Sequence, residues 1–424
     1  MEMLVALKRQ IWHIGGRFYI NTVYPMKIRR RERAVSRKPK IEVVFFAANL
    51  AMWRYQGVYE VLSKEERFNC HIVLSVLNSY TREQQALDIE QLRSYFQSKG
   101  IEYIDYDISV DQGYNVLRKI NPDILFFPQP YPSLAKGHCY YDYLRKLLCY
   151  IPYGFSIRKA DWVYDTPFQN IAWKQYYPFK FNKDISSIVA KNRGRNIVVS
   201  GYPNLDRYLS HDSIDVWKIK DKSIKRLIWA PHFTIRSEKE GAWFSQSNFL
   251  WMAQEMLDIA EQYKGKLQIA FKPHPKLKTE LYANEQWGKE KTDQYYAKWD
   301  EMENTFAETG DFVDLFKTSD AMMHDSASFI TEYLFVNKPV AFVSGDVEHL
   351  MSEHSDFGRS ALQQHYMVKD KGSIIAFIEN VVLGGDDPMK EQRTKFYNEV
   401  LRPNVTGSTS QIIVDDIKQS LGIK

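Results

Sequence analysis

Short apolar runs rich in β-formers alternate with helix-patterned stretches along most of the chain, and no other feature constrains the fold as much. Ile41–Ala47, His71–Val76, Ile101–Tyr106 and Ile124–Phe127 read as strands, with helices expected at Val58–Leu62, Thr81–Lys99 and Tyr114–Ile120. Gly100 stands where a helix C-cap needs a residue without a Cβ. The rhythm returns at Arg226–Pro231, Leu267–Lys272, Asp320–His324 and Pro339–Val343, with helices expected at Phe249–Tyr263, Ser328–Val336 and Gly372–Val382. Strands of this kind, each followed by a helix, specify parallel doubly wound sheets and an α/β fold. Two such series in 424 residues make two Rossmann-like domains the expectation. The boundaries read as a basic segment 1–40, a first domain 41–205, a second domain 206–395, and a C-terminal helical segment 396–424 that packs back on the first. Ligands of such sheets bind outside the carboxyl ends of the strands, which puts the expected site in a cleft between the domains.

Charge is concentrated at one end. Residues 1–40 hold eleven Lys and Arg against two acids, a net of +9, which leaves the other 384 residues at −4 of the chain's +5. The body is therefore not a nucleic-acid binder. In the same segment Leu4, Leu7, Ile11, Trp12, Phe18 and Tyr19 are interleaved with Lys8, Arg9 and Arg17, and Arg29, Arg30, Arg31 and Arg33 follow. An apolar stretch beside a polybasic cluster suits an anionic membrane surface, at ~1 kcal/mol per basic residue. A packed helix with a solvated basic linker is the bland alternative. No apolar run is long enough to cross a bilayer and no signal peptide is apparent. Cys70, Cys139 and Cys149 are too scattered for a disulfide framework, so a reducing cytoplasm is the expected compartment.

The chemistry-bearing residues cluster just past predicted strands. In Phe271-Lys272-Pro273-His274-Pro275 two prolines hold one imidazole at a strand's carboxyl end, where it can act as acid, base or phosphate ligand. In Asp325-Ser326-Ala327-Ser328 small hydroxyl residues open a helix, an arrangement suited to a phosphate. Glu332 lies one turn beyond Ser328 and could accept from a ribose diol. His232 and Arg236 follow another strand, and an arginine there would clamp phosphate. Ser408 and Ser410 open the last helix, a second possible anion site. Each has an ordinary structural alternative as a turn or cap. Asp105-Tyr106-Asp107 is a weak metal motif, and His349 and His354 are five apart rather than four, so no metal is expected. No Gly-x-Gly-x-x-Gly, P-loop or Gly-x-Ser-x-Gly occurs, which argues against nicotinamide, P-loop and serine-hydrolase chemistry.

From about Cys149 onward these pieces resemble the bacterial CDP-glycerol glycerophosphotransferases, the teichoic acid primases and polymerases. Gly201-Tyr202-Pro203-Asn204-Leu205-Asp206 looks like the family's Gly-Tyr-Pro-Arg-x-Asp turn, with Asn204 in place of the usual arginine. Trp229-Ala230-Pro231-His232-Phe233, His274-Pro275, His324-Asp325-Ser326-Ala327-Ser328 with Glu332 and Asn337-Lys338-Pro339, and Gly407–Ser410 match its later motifs. The resemblance implies a GT-B-like fold, with 41–205 on the acceptor side and 206–395 holding the nucleotide. It implies transfer of glycerol phosphate or a related polyol phosphate from a CDP-activated donor to a lipid-linked or polymeric glycan acceptor, in teichoic acid or capsular polysaccharide synthesis. No cofactor beyond the donor would be needed, and the enzyme would sit peripherally at the inner face of the membrane. His274, His232 and Tyr153 become candidate catalytic residues. Lys272, Arg236, Asp325, Ser326, Ser328, Glu332, Ser408 and Ser410 become candidate donor ligands. Tyr153 stands where the family carries a histidine taken as the base. A phenol of pKa ~10 is a poor base at neutral pH, which leaves His138 and His232 as alternatives. A nucleotide-sugar glycosyltransferase and a non-catalytic binding protein remain the competing readings.

Overall fold

Among the described residues twelve strands form two six-stranded, wholly parallel sheets. The computed structural model describes residues 16–108, 113–155, 157–210, 212–235, 246–308, 312–402 and 407–423. The chain divides into a first unit (1–154, 160–207 and 404–424) and a second (155–159 and 208–403). The boundary expected at 205/206 compares with a division at 207/208, and 155–159 fall in the second unit, which no sequence signal announces.

The first unit holds β1 (Ile41–Ala47), β2 (Phe68–Leu74), β3 (Ile124–Phe127), β4 (Leu147–Tyr150), β5 (Lys174–Tyr177) and β6 (Ile197–Val199), ordered β2-β1-β3-β4-β5-β6. β1 is paired on both sides, and every residue of it but Glu42 is buried, as a strand covered on both faces requires. The expected strand at Ile101–Tyr106 reduces to one bridge, Ile104 to Val73. Asp105 there is drawn into a 2.8 Å ion pair with Arg93, and Tyr106 turns inward against His138, ring centroids 5.6 Å apart. Asp105 thus serves as a structural partner for Arg93.

The C-terminal helix Thr409–Ser420 belongs to the first unit. Ile413, Val414, Ile417 and Leu421 recur at helical spacing and enter the core shared by Tyr55, Val58 and Leu62, each contributing roughly 1.5–3 kcal/mol of apolar burial. Residues 396–402, expected with this segment, stay in the second unit. A helix over Tyr24–Ser36 also packs here, preceded by a π-helical turn at Tyr19–Val23. Its Tyr24 hydroxyl donates to Ile171 O at 2.6 Å, and its Glu32 accepts from Trp173 Nε1 at 2.7 Å. The expected amphipathic stretch before residue 16 lies outside the described residues.

The second unit holds β7 (Lys225–Ala230), β8 (Leu267–Phe271), β9 (Thr305–Ala307), β10 (Ala321–His324), β11 (Val340–Val343) and β12 (Tyr366–Val368), ordered β12-β11-β10-β7-β8-β9. Strand order reverses between β7 and β10, which are neighbours in the sheet but not in the chain. That is where a doubly wound sheet opens its ligand crevice. Trp229 on β7 stacks on Phe249 at 5.8 Å, and Phe271 on β8 stacks on Trp299 at 5.0 Å. This aromatic wall beneath the strand ends makes the platform for the following loops rigid.

Candidate active site

Three strand ends meet at the reversal point. Ala230 pairs in register with His324, and Trp229 with Phe271. The loops leaving β7, β8 and β10 therefore rise from one level and carry His232, His274 and Asp325. The His232 and His274 rings stand edge to face with centroids 5.2 Å apart. Phe233 lies 4.5 Å from each ring. The His274 N–H donates to Pro231 O at 3.0 Å, and the Lys272 N–H to Trp229 O at 2.8 Å, so the Lys-Pro-His-Pro turn is fastened to the β7 loop.

Asp325 organises this corner. Its Oδ1 accepts the His232 N–H at 2.6 Å, and its Oδ2 accepts the Asn248 N–H at 2.5 Å and the Asn248 side-chain amide at 3.3 Å. Both oxygens are thus engaged by the protein. Asp325 holds the β7 loop to the β10 loop and to the start of helix Phe249–Gln262. Burial pushes its carboxyl up to about 6 despite those donors. Ser326 is buried beside it and its N–H donates to His324 Nδ1 at 3.2 Å. Ser328 is exposed at the start of Phe329–Glu332. Glu332 is buried and accepts the Tyr208 hydroxyl at 3.2 Å. Lys272 is buried at the end of β8.

Both imidazoles are held neutral. Burial, then nearby His232, Lys276 and Lys272, put His274 well below its usual value. Burial and the Arg158 guanidinium bring His232 down to about 4. The tautomer of His274 is set by its surroundings. The Lys276 backbone N–H donates to His274 Nδ1 at 3.1 Å, so that nitrogen is the acceptor and Nε2 carries the proton. His232 Nδ1 lies 2.9 Å from the Thr234 hydroxyl.

Arg158 was not found from sequence. Its Nη2 donates to Gln246 Oε1 at 2.7 Å, and the Gln246 side chain donates to Asp325 O at 2.5 Å. Its sequence neighbours up to Gly154 belong to the first unit, so linear reading gave no reason to place it beside β7 and β10. Arg236 lies outside the described residues.

The remaining candidates lie in the first unit. Tyr153 follows β4, and burial with neighbouring Tyr131 pushes its phenol up, so it stays protonated at neutral pH. His138 is buried, 2.9 Å from Ser75 Oγ. The expected anion site at Ser408 and Ser410 is already filled. Asp206 Oδ1 accepts the Thr409 N–H at 2.7 Å, and Oδ2 accepts the Ser410 N–H at 2.9 Å and the Ser408 hydroxyl at 2.8 Å. The anion on this helix is the protein's own carboxylate. Among the described residues no cluster of three metal-ligating side chains occurs, and no helix is long and apolar enough to cross a membrane.

Two doubly wound units with an imidazole pair at a strand-order reversal define a GT-B-like α/β protein. The chain belongs to the CDP-glycerol:poly(glycerophosphate) glycerophosphotransferase family, whose model matches residues 174–417, and it is a transferase of that family. No curated protein sequence matches it. Among solved structures it is similar to the S. aureus MnaA–UDP co-structure (17% identity, 91% of this chain and 98% of that one, TM-score 0.58). It is similar to a putative UDP-N-acetylglucosamine 2-epimerase from Listeria monocytogenes (17%, 90% and 97%, 0.55). It is also similar to the wall teichoic acid polymerase TagF, solved as a histidine-to-asparagine variant with CDPG (13%, 99% and 98%, 0.57). At these identities the structures show a common fold.

Proposed function

We propose that the protein transfers glycerol phosphate, or a related polyol phosphate, from a CDP-activated donor to a membrane-presented glycan acceptor. The observation that carries this reading is the imidazole pair at the β7/β8 ends, with His274 Nε2–H as a fixed neutral donor beside buried Lys272. In the reaction an acceptor hydroxyl loses its proton and its oxygen bonds to the phosphorus bearing the polyol. The bond from that phosphorus to the bridging oxygen breaks, and CMP leaves. His274 donates through Nε2 to a phosphate oxygen whose charge grows on the way to that cleavage, and Lys272 supplies positive potential. Arg158 adds cationic charge beside His232. Asp325 acts as a positioning residue. His232 is a candidate to accept the acceptor's proton, since it is neutral at pH 7 whereas Tyr153 retains its own.

The helix over Tyr24–Ser36 fits presentation at a membrane. Its inner side is tied to Ile171 and Trp173, while Phe18 (63% exposed), Tyr19 and Met26, with Lys27, Arg29, Arg30 and Arg33, face outward. An apolar and cationic outer face of that kind suits an anionic bilayer.

Thermal denaturation with CDP-glycerol, CDP-ribitol, CMP, UDP and UDP-sugars at equal concentration tests the donor. A ligand at 100 times its dissociation constant adds about 2.7 kcal/mol. Stabilisation by CMP and a CDP-polyol is expected. Stabilisation by UDP or a UDP-sugar alone would make the protein a sugar transferase, and none by any nucleotide would make it a binding protein of another kind.

A further inference from the structure

We propose that Tyr131 and Tyr153 form an aromatic seat for a sugar ring of the acceptor. The inference rests on the transferase reading and adds the chemistry of the acceptor's reacting end.

β3 and β4 are adjacent and parallel, and their last residues, Phe127 and Tyr150, are register partners. The chain therefore leaves both strands at the same level of the same edge. Tyr131 lies four residues past Phe127, and Tyr153 three past Tyr150. This is the carboxyl edge of the sheet, where doubly wound folds bind ligands.

Both rings are presented on stiffened backbone. Tyr131 stands between Pro130 and Pro132, and Tyr153 follows Pro152. Each proline fixes its own φ and restricts the residue before it. Gln129 Nε2 bonds Ser133 Oγ across the base of the Tyr131 turn. Buried Arg54, from the loop after β1, donates through Nε to Tyr153 O at 3.2 Å. Yet Tyr131 and Tyr153 are 36% and 40% exposed, while Phe127 and Tyr150 below them are buried. Ordered backbone carrying two exposed aromatic side chains is poor use of apolar surface for folding and good use of it for binding.

The chemistry favours a carbohydrate. A tyrosine ring offers a flat apolar face to the C–H face of a pyranose and a hydroxyl to its oxygens. A phenol of pKa ~10 keeps its proton at neutral pH, so each tyrosine offers a neutral donor. A bare chain of glycerol phosphates has no ring to stack and calls instead for cations. The seat thus fits an acceptor whose reacting end carries a sugar.

The test is saturation-transfer NMR of the full chain with octyl β-N-acetylglucosaminide, using glycerol 3-phosphate as the ringless control. Transfer to the sugar-ring protons is expected in the wild type. Tyr131→Ala and Tyr153→Ala should weaken it about tenfold, while Tyr131→Phe and Tyr153→Phe keep most of it. No transfer to the sugar, unchanged transfer in both alanine variants, or equal transfer to glycerol 3-phosphate overturns the seat. The CDP-glycerol thermal shift, run on the same samples, separates the two readings. A donor shift without sugar binding removes the seat alone. Tyrosine-dependent sugar binding without a donor shift removes the CDP-polyol reading and leaves the seat standing.

Discussion

The Lys276 backbone N–H donates to His274 Nδ1 at 3.1 Å, and this bond decides which nitrogen of His274 can do chemistry. An amide N–H cannot accept, so Nδ1 is the acceptor and the proton sits on Nε2. Replacement by asparagine can keep an acceptor near Nδ1, whereas glutamine can place an amide donor near Nε2. If Nε2 donation carries the function, His274→Gln retains more turnover than His274→Asn, and His274→Ala loses about 10²–10³-fold in kcat. Melting temperatures of the variants should stay close to the wild type. Near-normal turnover in His274→Ala would remove His274 from the mechanism.

Burial chiefly depresses His232, and the Arg158 guanidinium adds to it by placing positive charge near the imidazole. Arg158→Met should therefore raise the His232 pKa from about 4 toward its ordinary value, read from the pH dependence of its ring-proton NMR shift. Where His232 acts as the base, the acid limb of the kcat/KM profile moves up with it. A His232 titration unchanged by the substitution would show that the guanidinium does not act on this ring.

Asp206 caps a helix 200 residues further along the chain. Asp206→Ala leaves the N–H groups of Thr409 and Ser410 and the Ser408 hydroxyl without that acceptor. Losing a charged cap costs about 1–2 kcal/mol, which for a unit of this size lowers Tm by roughly 2–8 °C. Inorganic phosphate should restore part of the loss in the variant and add nothing to the wild type. Equal phosphate stabilisation of both proteins would mean that the helix start is open to ligands after all.

These cases show what was legible in the sequence. β1 and β3 were read with their observed bounds because β3 is an unbroken apolar run and only Glu42 interrupts the one in β1. β4, β5, β9 and β12, each three or four residues long, were not read as strands. His232, His274 and Asp325 were picked individually because each directly follows a recognisable strand. Their convergence depends on β7 lying between β8 and β10, and strand order is a property of tertiary packing. The helix start at Ser408 was equally visible, but its occupant lies at Asp206, and no local pattern links the two. Arg158 was hidden for the same reason, since its partners are distant in sequence.

The histidines with lowered pKa predict how stability responds to acid. His232 is held at about 4 and His365 at about 3, and His274 and His324 are lowered well below 6.5. A histidine whose folded-state pKa is depressed contributes stability that is fully present above about 6.5 and is lost as pH falls toward the folded value, because the unfolded chain takes up the proton first. Asp325 acts in the opposite direction. Raised to about 6, it binds its proton more readily when folded, so it opposes the histidines between about pH 6 and 4. The histidines, with His354 also lowered, outnumber it, so unfolding takes up protons on balance near pH 5 and stability has a positive slope against pH there. Urea denaturation at pH 7.5, 6.5, 5.5 and 5.0 measures that slope directly. The expected result is a plateau above pH 7 and a steep fall below 6. Constant stability from 6.5 to 5.0 would mean that these imidazoles titrate normally in the folded protein, and it would remove the neutral His232 and His274 on which the proposed chemistry depends.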